Sequence, residues 1–282
     1  MANLAHRYLD LSAMEALRHV RLRPRGEAEG TFAGPHKSHF RGTAVEFADY
    51  REYSPGDDIR LMDWKVLART DRHYVRLYDA ERNLLTYLVV DKSGSMKYKG
   101  AVRQTSPKLE HAARLAAALA YLVVREGDEV GLSLADSRLH SHLPPSSSWA
   151  QLQRILDCLE QATAEGTTDL HACLDQIFSR VRRRGVLVIF SDFLDANEDF
   201  WKSIDMFRKS RFDVMLFNIL HPEELDLPDL LSAKFVETEG GSGQFNAEPA
   251  SIRALYRQRV EKFISGIKAA ARARGCDWFL AN

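Results

Sequence analysis

The sequence predicts an α/β fold: a doubly wound, mainly parallel sheet with a β-rich elaboration at its N-terminal side. Two uninterrupted apolar runs, LLTYLVV at 84–90 and VLVIF at 186–190, suit the centre of a sheet covered on both faces. From residue 84 onward, strand-like runs alternate with helical patterns of 10 to 20 residues, as right-handed crossovers between parallel strands require. The chain has 282 residues, of which 45% are apolar and 28% charged. That is ordinary for a globular protein, and the length suffices to bury roughly three quarters of the unfolded surface.

Each element has its own signal. Leu9, Met14, Leu17 and Val20, with Leu11 beside them, approximate one apolar helical stripe within the first 24 residues. Residues 23–83 are rich in Gly, Pro, Arg and aromatics; short strands are expected at 43–47 and 73–77, with a turn at Ser54-Pro55-Gly56-Asp57. The strand at 84–90 ends at Asp91, and a helix over 109–124 follows. Gly127-Asp128 opens a strand over 129–135, and a short strand at 139–143 closes in a Pro144-Pro145 turn. Helices over 149–159 and 170–182 precede the strand at 186–190, the second of them ending beside Arg182-Arg183-Arg184. Then come a helix at 200–209, a strand at 213–219, a further strand near 234–237, and a loop at Gly240-Gly241-Ser242-Gly243. A long helix over 252–274 and a last strand at 277–280 complete the reading. The composition shift near 84 divides the chain into 1–83 and 84–282.

Lys and Arg together number 39, as do Asp and Glu, so the formal net charge is zero. A dedicated nucleic-acid binder usually carries a basic excess, and that class is set aside. Cys158, Cys173 and Cys276 form neither a disulfide framework nor a zinc motif. No window holds about 18 consecutive apolar residues, and the first 20 lack the apolar stretch of a signal peptide. A cytoplasmic protein is expected.

In an open α/β sheet, ligands sit beyond the carboxyl ends of the strands. The strand at 84–90 is followed by Asp91-Lys92-Ser93-Gly94-Ser95-Met96, and that at 186–190 by Ser191-Asp192. Between them lies the loop Gly166-Thr167-Thr168-Asp169-Leu170. Each segment supplies short oxygen side chains with no nitrogen or sulfur donor nearby, which suits a hard cation such as Mg²⁺ or Mn²⁺. Taken singly, each segment also reads as a polar turn capping the next helix.

Together, Asp91-x-Ser93-x-Ser95, Thr168 and Asp192 resemble the metal-ion-dependent adhesion site of von Willebrand factor A domains. The resemblance implies that these five residues hold Mg²⁺ and that a partner's carboxylate completes its coordination. Thr168 is chosen over Thr167 because it directly precedes Asp-Leu at the helix start. Upstream, Gly42-Thr43-Ala44-Val45-Glu46-Phe47 and the stretch from Arg51-Glu52-Tyr53-Ser54-Pro55-Gly56-Asp57-Asp58 to Asp63-Trp64-Lys65, with Ala68-Arg69 and Glu81-Arg82, are similar to a bacterial signature. It is that of the domain-of-unknown-function family number 58, in which the segment precedes an A-domain core. Family members are typically encoded beside MoxR-type AAA+ ATPases, which implies such a partner and a client protein. Lys92 departs from the common pattern; it would either pair with a partner's carboxylate or repel the metal.

The Asp- and Arg-rich stretch at 51–69 reads either as internal bracing of an irregular backbone or as a docking surface. Asp91 lacks the second Asp that a haloacid-dehalogenase-type phosphatase places two residues on, since Ser93 stands there. The chain has no Gly-x-Ser-x-Gly elbow around Ser95 and no Gly-x4-Gly-Lys phosphate loop. The expectation is a non-enzymatic, metal-dependent interaction module. The rival is a metal-dependent phosphatase or esterase using the same cation, with His171 as the nearest candidate acid or base.

Overall fold

The computed structural model describes residues 7–9, 15–17, 19–20, 22, 45–80, 84–102, 104–228, 233–236, 244–247 and 249–282. Leu11, Met14, residues 42–44, Glu81-Arg82 and the Gly240–Gly243 loop lie outside the described residues. The chain forms two compact units, Gly30–Asn83 and Met1–Glu29 with Leu84–Asn282.

The smaller unit is a hairpin of β1 (Val45–Glu52) and β2 (Tyr74–Ala80), with the short helix α1 (Trp64–Thr70) in its connection. Both strands run further than the short segments expected from sequence. The turn at 54–57 closes through Asp57 N–H to Ser54 O at 3.0 Å, and Gly56 takes φ +109°, where a Cβ is penalised. The Asp57 carboxylate also accepts from Ser54 N–H and from the Arg51 guanidinium at 2.8 Å. Asp58 caps the 3-10 turn Ile59–Leu61. Asp63, buried, caps α1 by accepting from Lys65 and Val66 N–H, and also accepts the Tyr50 hydroxyl at 2.9 Å. These carboxylates brace their own unit, while Ile59, Leu61 and Trp64 stay exposed.

The larger unit is built on one six-stranded sheet. Its strands are β3 (Leu85–Asp91), β4 (Glu129–Ala135), β5 (Leu139–Ser146), β6 (Val186–Ser191), β7 (Asp213–Ile219) and, last in the chain, β10 (Asp277–Ala281), in the order β10-β7-β6-β3-β4-β5. All pairs are parallel except β4 with β5. The helices between them are α2 (Lys108–Arg125), α3 (Trp149–Glu160), α4 (Leu170–Arg180), α5 (Glu198–Lys209), the one-turn α6 (Pro222–Leu225) and α7 (Pro249–Ala273). A small hairpin, β8 (Ala233–Val236) with β9 (Gln244–Ala247), precedes α7. The predicted α/β class with a mainly parallel sheet is therefore the observed one.

Alternate residues of β3 and β6 face opposite layers, so one strand feeds two cores. Leu88 and Val90 join Ala112, Ala116 and Ala120 of α2 and Leu152 and Leu156 of α3; Tyr8 and Leu9 are buried in this same layer. Tyr87 and Val89 join Leu174 and Ile177 of α4, Phe200 and Phe207 of α5, and Ile267 and Ala271 of α7.

Two expectations are corrected. Pro144-Pro145 is not a turn: β5 runs through both to Ser146. Being outermost, it tolerates residues without an N–H. The pairing slips between Val130 and Leu132, and the buried Gln151 amide fills the gap by donating to Val130 O and Pro144 O. Helix α4 also stops at Arg180, short of the arginine run, and Arg183 pairs with Glu129 at 2.7 Å.

Candidate functional site

Parallel pairing brings the carboxyl ends of β3 and β6 side by side, with Val90 in register with Phe190. Asp91 and Ser191 follow as neighbours, and Ser191 Oγ donates to Asp91 Oδ2 at 2.6 Å. The other Asp91 oxygen accepts Ser93 N–H at 2.9 Å, and Ser93 Oγ lies 3.1 Å from Ser95 Oγ. Asp91, Ser93 and Ser95 are thus gathered into one buried oxygen cluster.

Asp192 comes from the next residue of the β6 end. Ser191 Oγ accepts Phe193 N–H, and Asp192 Oδ1 accepts Leu194 N–H. Phe193 itself takes φ +56°, a left-handed conformation that costs a bulky residue about 1–2 kcal/mol. Its fully buried ring packs on Phe200 and holds the turn in place. Burial, and then the neighbouring Asp192 carboxylate, push Asp91 up to about 7, against the hydrogen bonds from Ser191 and Ser93.

The Thr168 loop is tied to the same edge. Gly94 N–H donates to Gly166 O and Glu165 N–H to Lys92 O, both at 2.9 Å. Gly166 takes φ +81° here. Thr168 is half-buried whereas Thr167 is exposed. Asp169 is the N-cap of α4, accepting Ala172 N–H at 3.0 Å.

Residues not singled out from sequence complete the site. Lys108, the first residue of α2, sends a buried ammonium to Asp192 Oδ2 at 2.8 Å and to Glu224 Oε1 of α6 at 2.7 Å. Burial acts to lower it, but the two carboxylates outweigh that and hold it above the ordinary lysine value. Lys92 is matched within the chain: its ammonium lies 2.9 Å from Asp136 Oδ2, which is also 2.6 Å from His140 Nε2. Burial would raise Asp136, yet Lys92, Arg138 N–H and His140 keep it below the usual aspartate value.

His171 is directed elsewhere. Its Nδ1 lies 2.7 Å from Ser203 Oγ, and Ser203 donates its single proton to Asp175 at 2.8 Å. Nδ1 is therefore the donor, in a contact that joins α4 to α5.

Among the described residues, no group of three or more His, Cys, Asp or Glu is placed to hold a metal. An ion at this edge would rest on two carboxylates and on hydroxyls. That donor set suits Mg²⁺ or Mn²⁺ in kind. Burial of the Asp91 carboxylate is the main cause of its raised value, and the Asp192 charge beside it adds to it. Beside the loop opens a cleft of about 450 Å³, walled by Gly94, Lys97, Tyr98 and Lys99 on one side and by Glu165 and Gly166 on the other.

The fold and site define a mainly parallel α/β domain with a buried oxygen cluster at the sheet's carboxyl edge. The chain belongs to the family described as "Protein of unknown function DUF58", matched over residues 49–263. An uncharacterised protein of Mycobacterium tuberculosis (strain ATCC 25618 / H37Rv) is 32% identical over 264 residues, covering 90% of this chain and 82% of that one. An uncharacterised protein of Mycobacterium bovis matches to the same extent. Among solved structures, an aerotolerance-related membrane protein from Bacteroides fragilis is similar at 12% identity and a TM-score of 0.46, over 71% of this chain and 92% of that one. A von Willebrand factor type A structure from Catenulispora acidiphila is similar at 13% identity and a TM-score of 0.36, over 51% and 34%. The fold class rests on the strand order of the chain itself. No helix among the described residues is long and apolar enough to cross a membrane.

Proposed function

We propose that the protein is a non-enzymatic, divalent-metal-dependent interaction module, an adaptor that works with a MoxR-type AAA+ ATPase in protein assembly or maturation. Asp91, Ser93, Ser95, Thr168 and Asp192 would hold Mg²⁺ or Mn²⁺, directly or through water, and a carboxylate of the client or partner would complete the set. The carrying observation is the buried cluster of Asp91, Ser93 and Ser95 at the end of β3, coupled electrostatically to Asp192. The bound ion would supply positive charge that joins carboxylates of two proteins. The chain's own residues do the rest: Ser191 fixes the Asp91 carboxylate, and the Phe193 turn presents Asp192. The neighbouring cleft is the way in for a partner's side chain, and Lys97 and Lys99 on its wall favour an acidic one.

Titration calorimetry of the EDTA-stripped protein with Mg²⁺ tests the ion. The expected result is weak one-site binding, strengthened when a partner's carboxylate is supplied, that Asp91→Ala abolishes while the circular dichroism spectrum is kept. Co-purification with a MoxR-type ATPase should need Mg²⁺ and be lost in EDTA. Normal partner binding by Asp91→Ala would end the metal-bridge reading.

A further inference from the structure

Lys108 stands out as a charge placed where helix electrostatics disfavour it. It is the first residue of α2, so its cation lies at the positive end of that helix's dipole. Its side chain is only 2% exposed, as is that of Asp192. Burying an ammonium costs several kcal/mol unless carboxylates match it. Here Asp192 at the end of β6 and Glu224 on α6 both do so, at 2.8 and 2.7 Å. Glu224 is fixed in turn, its other oxygen accepting His221 N–H at 2.7 Å in the capping box of α6. The ammonium is therefore shared between one carboxylate of the proposed metal site and one outside it.

We propose that Lys108 is a positioning residue that competes, as a tethered monovalent cation, with the divalent ion for Asp192. This rests on the metal reading given above. With Lys108 on Asp192, that carboxylate has its charge already matched, and free ion binds weakly. Glu224 is the second seat of the ammonium: the more the lysine leans to Glu224, the more of Asp192 is left for the ion. A partner's carboxylate adds negative charge beside the ion and tips the competition toward it. The site then holds metal well only when a partner is present, so the protein does not fill its bridge with ion before there is something to bridge.

Calorimetric Mg²⁺ titration of the full chain, stripped with EDTA, tests this in four forms: the native protein, Lys108→Met, Glu224→Gln and Lys262→Met. The last removes an exposed lysine of α7 and controls for overall charge. Removing a cation in contact with a buried ligand should tighten Mg²⁺ binding by about tenfold or more in Lys108→Met. Glu224→Gln, which leaves the ammonium to Asp192 alone, should weaken it. Lys262→Met should change it by less than about twofold, because solvent screens an exposed charge. A native protein that binds no measurable Mg²⁺ beside a Lys108→Met protein that does would support the proposal equally. Binding by the native protein with equal or weaker binding by Lys108→Met would overturn the competition while leaving the metal site standing. Absence of binding in all four folded proteins would overturn the metal reading itself. Should Lys108→Met fail to fold, Lys108→Gln takes its place: tighter binding than in the native protein supports the competition, and equal or weaker binding rejects it.

Discussion

Ser191 donates its hydroxyl proton to Asp91 across 2.6 Å, so the ends of two adjacent parallel strands are fastened by side chains beyond the last register pair. The same oxygen accepts Phe193 N–H at 3.0 Å and thereby shapes the turn that carries Asp192. One hydroxyl governs the placement of both carboxylates. Ser191→Ala strips a buried carboxylate of one of its donors and a buried N–H of its acceptor, and should cost about 2–4 kcal/mol in urea unfolding. Mg²⁺ affinity should fall alongside. An unchanged midpoint would show that the contact is unimportant to the site.

Asp91 sits at about 7 in the fold against 3.8 for an ordinary aspartate. A raised value means the folded state holds the proton more tightly than the unfolded one. This group's contribution is therefore fully present below about pH 4 and is lost as pH rises through about 7. Metal must displace that proton, so apparent Mg²⁺ affinity should climb from about pH 5.5 to 7.5 and then level off. Titrations in buffers of different ionisation enthalpy should register proton release at the lower pH. Affinity independent of pH across that range would contradict the assignment of Asp91 as a ligand.

Asp63 caps α1 and receives the Tyr50 hydroxyl. Asp63→Ala should remove about 1–2 kcal/mol from the smaller unit. Hydrogen exchange resolves this: amides of 45–80 should lose protection, while those of β3 and β6 keep theirs. Equal loss in both regions would mean that the two units unfold together.

Gly131 lies against the slip in the β4–β5 pairing. A Cβ there would come within 2.7 Å of Leu143 O and 3.0 Å of Pro145 N. Those are backbone atoms that cannot swing away. Gly131→Ala should destabilise the larger unit by about 1–3 kcal/mol, as overpacking does. Thermal melting would show it, and a melting temperature equal to that of the native protein would contradict the packing described here.

The parts of the fold with strong local signals were legible in the sequence. Apolar-rich runs opening behind Gly127-Asp128 and at Asp213 located β4 and β7 to the residue, because strands covered on both faces bury most of their positions. The metal-loop candidates were legible too, since Asp91, Ser93 and Ser95 lie within five residues. Lys108 and Glu224 were not, nor was the role of Ser191 as the donor that fixes Asp91. The Lys108 contacts span 84 and 116 positions of chain, and no periodicity reports a meeting of that kind. At Pro144-Pro145 the usual meaning of proline as a stop gave way, because the outermost strand has a neighbour on one side only and the pair falls where its register with β4 slips. Helix α1 is only two turns long, too short for its apolar positions to set up a helical period, and no helix is expected there from the sequence.

That outermost strand has a consequence for assembly. Two successive positions on it have nothing to donate, so another chain finding that rim meets an interrupted row of hydrogen-bonding groups. The opposite rim, β10, carries no such break and exposes Phe279 and Leu280. A foreign strand would therefore find fewer donors on the β5 rim than on the β10 rim, which makes the two edges of the sheet unequal as templates.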